Sequence, residues 1–289
     1  EVIAAIIALK NGKASGPDGM TAEILKRDPE LFAPLLADLY NASFRTGHGS
    51  ANMMDGLIIL LLKGGDPRML SNVRPITLTS MVTSVLAGVF KQRMRLFLPG
   101  VTLPDQCASV PGRYMYESIH RILSALHWAK TQNAEMLMIL QDMRKAFDLL
   151  DRGYLREVLL LLAQPDGEAS CERDAAGDLT PTGNFIRWFD ILLGTTDAPL
   201  TRRVLLNGEV DPDPLYLHSG VPQGLAVSAQ LYTWAAEGIM GLLLHAQVTG
   251  IQMNVMCRSD RVDPSCGPRT EQWIVDFFAP RYADDLIGF

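Results

Sequence analysis

The sequence predicts an α+β fold in which helices pack on an antiparallel sheet. Several long stretches place apolar residues at helical spacing, and short apolar runs bounded by Gly-, Pro- and Asn-containing turns are typical of strands. No internal repeat or low-complexity tract interrupts them. Apolar residues make up 48% and charged residues 20% of the 289 residues, a composition that supports a sizeable core.

The first part of the chain alternates helices with two predicted strands. EVIAAIIAL is predicted to be a helix that ends before the turn SGPDG. A second helix is expected over 20–45, interrupted by Pro29 and Pro34. LIILLLK is predicted to be a buried strand. RPITLTS is predicted to be an extended segment that continues into a long helix near Ser80. ESIHRILSALHWAKTQ, residues 117–132, is the next helix.

The remaining elements repeat this alternation. MLMILQD is a strand that ends near Asp142, and Asp151 is a candidate N-cap for the helix that follows. FIRWFDILLG is a helix, and TRRVLLNGEV is a strand with an Asn-Gly turn. LYLHSGVPQG is a strand and loop that lead into a helix, and the final strand pair has Asp284 and Asp285 at its turn. The polar stretches 164–184 and 257–271 are predicted surface loops.

Membrane and secretion signals are not visible in the sequence. The apolar run GLIILLL is closed by Lys63 and is far shorter than the roughly 20 residues that a bilayer span needs. We expect an intracellular protein, nuclear or cytoplasmic, without a signal peptide. Because the chain begins with Glu1, we also expect it to be part of a longer protein. The four cysteines form no CxxC pair and are predicted to be free thiols.

Charge is distributed unevenly along the chain. Residues 1–130 contain 14 Lys and Arg against 10 Asp and Glu, a net charge of +4. Residues 131–289 contain 12 against 22, a net charge of −10. Such asymmetry suggests that the two halves have different functions, and a basic half is compatible with a phosphate-bearing partner.

Three aspartates are the strongest candidates for chemistry. Taken singly, Asp142 at a strand end and the pair Asp284 and Asp285 at a hairpin are typical of caps and turns. Together they place three carboxylates on strands that could be neighbours, where like charges repel unless a divalent cation lies between them. Mg²⁺ prefers such oxygen ligands, and two ions are the general device for in-line nucleotidyl displacement. The segment GVPQG, taken alone, is typical of a strand-to-helix loop.

Six segments in order resemble successive motifs of reverse transcriptases, and the whole resembles the non-LTR (LINE-like) retrotransposon branch. They are LKNGKASGPDGMTAEILK, LIILLLKGGDPRMLSNVRPITL, QCASVPGRYMYESI, LQDMRKAFDLLD, GVPQGLAVSAQLY and RYADDL. The resemblance implies the fingers and palm of a right-hand polymerase, with an antiparallel palm sheet packed on helices. Fingers and the first palm helices would occupy 1–130 and the palm 131–289, ending just after the YADD hairpin with the thumb absent.

The same resemblance implies roles for individual residues. Asp142, Asp284 and Asp285 would be catalytic and would hold two Mg²⁺ ions, with Mn²⁺ as a possible substitute. The backbone of Met143 would face the triphosphate. Phe147 matches the bulky residue that excludes a ribose 2′-OH and so selects dNTP over rNTP.

Further residues are implied in substrate and template binding. Gln223 and Gly224 match the loop that lies against the incoming nucleotide. Lys63 and Arg74 match the basic pair that grips the triphosphate. Arg113 matches a position that supports template binding. The implied partners are an RNA template, a DNA primer and dNTP, without a membrane.

The function implied is that of an RNA-directed DNA polymerase core that adds dNTPs to a primer 3′-OH. We expect it to be part of a longer retrotransposon protein and to extend primers poorly as residues 1–289 alone. One alternative is a template-directed RNA polymerase, against which Phe147 argues. Another is a decayed or domesticated copy that binds nucleic acid without activity, or a pseudogene fragment. The sequence does not predict an oligomeric state.

Overall fold

A computed structural model describes residues 1–136, 138–143, 145–162, 176–245, 281–282 and 285–288. Over these residues the predicted α+β class is confirmed. The chain forms two compact units, each built from two segments. Unit 1 comprises Glu1–Val101 and Lys145–Ala235, and unit 2 comprises Thr102–Arg144 and Ala236–Phe289.

The helices follow the predicted order closely. In chain order they are α1 Val2–Ala8, α2 Ala22–Arg27, α3 Pro29–Thr46, α4 Ala51–Met54, α5 Met81–Val101, α6 Met115–Gln132, α7 Ala146–Leu149, α8 Arg152–Leu162, α9 Pro181–Leu193 and α10 Ser228–His245.

The strands are short and lie between the helices. They are β1 Gly56–Leu62, β2 Val73–Thr79, β3 Ile139–Asp142, β4 Leu200–Leu206, β5 Glu209–Val210, β6 Leu215–Leu217, β7 Arg281–Tyr282 and β8 Asp285–Gly288, with a 3-10 turn at Leu70–Asn72 before β2. The predicted strand WIVDFFA lies outside the described residues.

The sheet of unit 1 is mixed rather than wholly antiparallel as predicted. Its strand order is β2-β1-β4-β5, and β6 also pairs with β4. β1 and β2 form an antiparallel hairpin, whereas β1 and β4 run parallel. Parallel strands need a long crossover connection, and several helices lie between β1 and β4 in the chain.

The compact units also differ from the predicted division at residue 130. β4 belongs to the C-terminal half of the sequence, yet it pairs with β1 of the N-terminal half. Because backbone pairing joins residues regardless of their separation in sequence, unit 1 collects material from both halves.

Capping explains two helix starts. The Ser80 hydroxyl accepts a hydrogen bond from Thr83 N at 3.2 Å, and the Asp18 carboxylate accepts one from Met81 N at 2.7 Å. This confirms the predicted start of α5 near Ser80. Pro29 was predicted to interrupt a helix, but it begins α3 after the Asp28 cap, where its missing N–H costs nothing.

Two further predictions need correction. Pro34 lies inside α3 without ending it, because the buried Ala33, Leu36 and Tyr40 hold the helix against the core on both sides.

The strand β1 was predicted to be buried, but only Gly56 is fully buried, and its last three leucines are 39–52% exposed. The outer end of the β1–β2 hairpin therefore extends away from the core.

Aromatic rings join the long helices of unit 1. Phe90 and Phe97 of α5 lie with ring centroids 5.8 and 6.5 Å from Phe185 of α9. Trp234 of α10 lies 5.4 Å from Phe97 and 5.9 Å from Phe185. Such pairs add to area burial by about 0.5–1.5 kcal/mol each, so α5, α9 and α10 form a shared core.

Unit 2 contains the predicted antiparallel sheet. Its strand order is β3-β8-β7, and α6 contacts β7. Cys107 is buried and forms no disulfide; the other three cysteines lie outside the described residues. Among the described helices, none is long and apolar enough to cross a bilayer.

Candidate functional site

The GVPQG loop of unit 1 is anchored to α7 by its backbone. Gly220 N donates to Leu150 O at 2.7 Å, and Val221 N donates to Phe147 O at 2.8 Å. These bonds join two motifs, KAFD and GVPQG, that the sequence separates by about seventy residues. Both are hydrogen bonds between backbone atoms, so they depend on the backbone conformation more than on the identity of the side chains.

The same loop is anchored to β2 on its other side. Thr77 N donates to Gln223 O at 2.7 Å, in the middle of the RPITLT strand. At Gly224, whose φ is +120°, an added Cβ would lie 2.4 Å from Thr77 O. At Gly220, whose φ is +76°, it would lie 2.6 Å from Asp148 O. Both glycines are therefore required by backbone conformation and by close approach.

A pocket of about 280 Å³ opens where these three motifs meet. Its polar lining comes from Thr77, Lys145, Asp148, Ser219 and Gln223, and its apolar lining includes Pro75 and Pro222. A concave site with a few convergent polar groups is the general form of a small-ligand site. The side chain of Gln223, predicted to face a nucleotide, lines this pocket.

The side chains of Asp148 and Gln223, two residues that line the pocket, form a direct hydrogen bond. Gln223 Nε2 donates to Asp148 Oδ1 at 2.9 Å. Asp148 lies in the first turn of α7, one residue from Phe147.

Phe147 is half-buried and stacks on Tyr232 of α10. The ring centroids are 5.0 Å apart, and the planes differ by 30°. The orientation of the Phe147 ring is therefore set by packing within unit 1.

Arg152, which no sequence motif indicated, holds the GVPQG loop in place. Its guanidinium donates to four backbone carbonyls. One is Leu193 at the end of α9, at 2.5 Å, and the others are Leu217 at 3.0 Å, Ser219 at 3.2 Å and Gly220 at 2.9 Å, at the start of the loop. Burial lowers the pKa of Arg152 to about 10. Its partners are backbone atoms more than forty residues away, so no local sequence signal identifies them.

Lys63 and Arg74 lie at the outer end of the β1–β2 hairpin. Both are exposed; Lys63 N donates to Asn72 O at 2.8 Å, and Arg74 is opposite Leu61 in the strand register. The structure thus brings these two residues to the same end of one hairpin. Among the described residues neither has a carboxylate partner, whereas Arg68 of the connecting turn is paired with Asp66 at 2.9 Å.

In unit 2, strand register brings two of the three aspartates together. β3 and β8 are antiparallel, and Asp142 is directly opposite Asp285. Met143 follows immediately after β3, and Asp284 lies outside the described residues. Carboxylates are the oxygen donors that Mg²⁺ prefers, so these two positions suit that ion. No cluster of three or more His, Cys, Asp or Glu occurs within the part of the chain that the structure describes.

Arg113, predicted to support template binding, is bonded within its own unit. Its guanidinium donates to the backbone carbonyls of Thr102 at 3.1 Å, of Gln106 at 3.0 Å and of Leu103. Much of its donor capacity therefore holds the 102–106 segment, and a template contact stays a prediction.

Comparison with known proteins finds a similar curated protein and similar solved structures. No family model matches the chain. A structure of apo telomerase from Candida tropicalis, truncated from the C-terminal domain, is similar over 93% of this chain and 49% of that chain, with a TM-score of 0.48 and 16% identity. The chain is 27% identical over 251 residues to the transposon TX1 uncharacterized 149 kDa protein of Xenopus laevis. The alignment covers 87% of this chain and 17% of that protein, so the chain is similar in sequence to one part of a transposon protein.

Proposed function

We propose that the chain is the core of an RNA-directed DNA polymerase that adds dNTPs to a primer 3′-OH. The observation that carries the proposal is the register of β3 and β8, which sets Asp142 opposite Asp285. Directly opposite positions are the closest cross-strand neighbours in an antiparallel pair. Two aspartates seldom occupy such positions without a cation, since like charges there are destabilising.

Two further observations support the proposal. The KAFD, GVPQG and RPITLT segments meet at one pocket, although the sequence separates them widely. The similarity to a transposon protein fits a polymerase that copies a mobile element, and it covers 87% of the chain. In this proposal the β1–β2 hairpin belongs to the fingers, and β3, β7 and β8 belong to the palm.

Each proposed residue has a defined task. Asp142, Asp284 and Asp285 would hold Mg²⁺, which when bound activates the attacking hydroxyl oxygen and stabilises charge on the leaving group. Lys63 and Arg74 neutralise the triphosphate through an ammonium and a planar guanidinium.

The remaining residues bind and select the nucleotide. The backbone at Met143 faces the triphosphate, and Phe147 fills the space that a 2′-OH would need. Gln223 and Gly224 lie against the incoming nucleotide.

The test is single-nucleotide addition under single-turnover conditions, with the chain in excess over an RNA template annealed to a DNA primer. This measurement does not require processive synthesis. Asp142→Asn and Asp285→Asn should each lower the rate of dNTP addition in Mg²⁺ at least about 100-fold, because metal coordination contributes several kcal/mol to the transition state. Both should also weaken Mn²⁺ binding, measured by electron paramagnetic resonance.

Asp38→Asn is the matched control, since Asp38 is exposed on α3. It should leave both addition and Mn²⁺ binding unchanged. Unchanged synthesis by Asp285→Asn would contradict the proposal. Binding of primer and template without addition by the wild-type chain would indicate a nucleic-acid-binding module, and preferential addition of rNTP would indicate an RNA polymerase.

A further inference from the structure

The hydrogen bond between Asp148 and Gln223 fixes the direction of an amide. Gln223 Nε2 donates to Asp148 Oδ1 at 2.9 Å. An ionised carboxylate accepts hydrogen bonds and cannot donate them, so the NH₂ end of the amide is the end that meets Asp148. The Oε1 end of the Gln223 amide is consequently turned away from Asp148.

Both partners are held by their backbones. Asp148 N donates to Lys145 O at 3.0 Å within α7, and Thr77 N donates to Gln223 O at 2.7 Å. Gly220 packs against Asp148 O so closely that any Cβ would clash. The carboxylate and the amide therefore meet because α7, β2 and the GVPQG loop are fixed together, not because two flexible side chains happen to touch.

The Oε1 atom remains available as an acceptor. Within the part of the chain that the structure describes, no group donates to Gln223 Oε1. Gln223 is half-buried and lines the pocket. A half-buried acceptor in a concave site is satisfied by water or by a donor on a ligand, and a sugar hydroxyl is such a donor.

We propose that Asp148 is a positioning residue that holds the Gln223 amide so that its Oε1 accepts a hydrogen bond from the sugar hydroxyl of the incoming nucleotide. This inference rests on the proposed function. A dNTP has one sugar hydroxyl, the 3′-OH, and a ddNTP has none. Discrimination between dNTP and ddNTP therefore reports on this acceptor.

A double-mutant cycle tests whether Asp148 acts through Gln223. The variants are Asp148→Ala, Gln223→Ala and the double variant, and the readout is the ratio of dNTP to ddNTP incorporation efficiency in single turnovers. Each single variant should lower that ratio about 3- to 10-fold, the usual effect of one hydrogen bond. The double variant should match Gln223→Ala within about twofold, because the carboxylate has no effect once the amide is gone.

Two controls separate positioning from folding. Asp151→Ala removes a carboxylate three residues away that caps α8 by accepting from Tyr154 N at 2.7 Å; it should lower stability and leave the dNTP:ddNTP ratio unchanged. Asp148→Asn keeps an acceptor oxygen and should restore part of the ratio. Additive effects in the cycle, or an unchanged ratio in Asp148→Ala, would overturn the inference.

A measurement without substrate keeps this inference distinct from the proposed function. The side-chain amide resonances of Gln223, assigned by their loss in Gln223→Ala, should shift and exchange faster with solvent in Asp148→Ala but not in Asp151→Ala. Unshifted resonances would overturn the positioning role. If the resonances shift as expected and the wild-type chain adds no nucleotide, the polymerase proposal fails while Asp148 still orients the amide.

Discussion

Phe147, which we propose selects the sugar of the nucleotide, is held in place by packing within unit 1. Its ring stacks on Tyr232 with centroids 5.0 Å apart and is half-buried in unit 1. A ring held by packing presents a rigid wall, and a rigid wall excludes an extra hydroxyl more effectively than a mobile chain. The resemblance to reverse transcriptases assigns Phe147 this selective role, and the stacking supplies a physical means for it.

Phe147→Val should relax sugar selection. We expect use of rNTP relative to dNTP to rise at least about tenfold, the range of discrimination that a steric pocket provides. Relative single-nucleotide incorporation of the two substrates measures this. Phe44→Val is the matched control, because Phe44 is also half-buried and lies 5.0 Å from Trp188. Equal relaxation by both variants would show that loosened packing, not the shape of the site, causes the change.

The residue that precedes the short helix α7 has a backbone conformation that L-amino acids disfavour. Lys145 precedes α7 with φ +51° and ψ +43°, in the left-handed region, and its carbonyl accepts from both Asp148 N and Leu149 N at 3.0 Å. A Cβ is strained there by about 1 kcal/mol or more. The turn nevertheless forms, and it leads directly from Lys145 to Phe147 and Asp148.

Lys145→Gly should be more stable than Lys145→Ala by about 1 kcal/mol, since only the alanine keeps a Cβ in the left-handed conformation. Both variants lose the same charge, so the free energies of unfolding from urea titration compare backbone strain alone. At Lys91, exposed within α5, the order should reverse by about 1 kcal/mol. If the glycine and alanine variants had the same order of stability at both positions, backbone strain at Lys145 would be contradicted.

At the scale of the whole molecule, the charge asymmetry of the sequence disappears. The halves of the sequence carry +4 and −10, but unit 1 has 18 Lys and Arg against 21 Asp and Glu, and unit 2 has 8 against 11. Each unit therefore has a net charge of −3. A net negative unit does not attract a polyphosphate, so attraction has to come from local cations.

We propose that Lys63 and Arg74, both exposed at the outer end of the β1–β2 hairpin, are these local cations. Lys63→Ala and Arg74→Ala should each weaken dNTP binding in the ternary complex about 5- to 20-fold, and the loss should shrink as salt is raised. The concentration dependence of single-nucleotide addition gives these affinities. Arg68→Ala is the control on the same hairpin, because Asp66 already compensates its charge. If Arg68→Ala weakened dNTP binding as much, the overall positive charge of the hairpin, and not a specific contact by Lys63 or Arg74, would explain the effect.

Local elements were largely predictable from the sequence. The helix start at Ser80, the Asp151 cap, the Asn207-Gly208 turn and the end of β3 at Asp142 all follow from short-range rules of capping, turn chemistry and periodicity. The candidate residues Asp142, Phe147 and Gln223 were also identified from motifs a few residues long. Each of these features depends on neighbours in sequence, which is why the sequence suffices.

The long-range arrangement depended on the tertiary structure. The parallel pairing of β1 with β4, the division into two discontinuous units and the anchoring of the GVPQG loop by Arg152 all join residues far apart in the chain. So does the hydrogen bond from the Gln223 amide to the Asp148 carboxylate, which joins the KAFD and GVPQG motifs. The sequence determined which residues are candidates for the chemistry, because side-chain type and local spacing are local properties. Only the tertiary structure decided which of them meet, because backbone pairing and packing act without regard to distance along the chain.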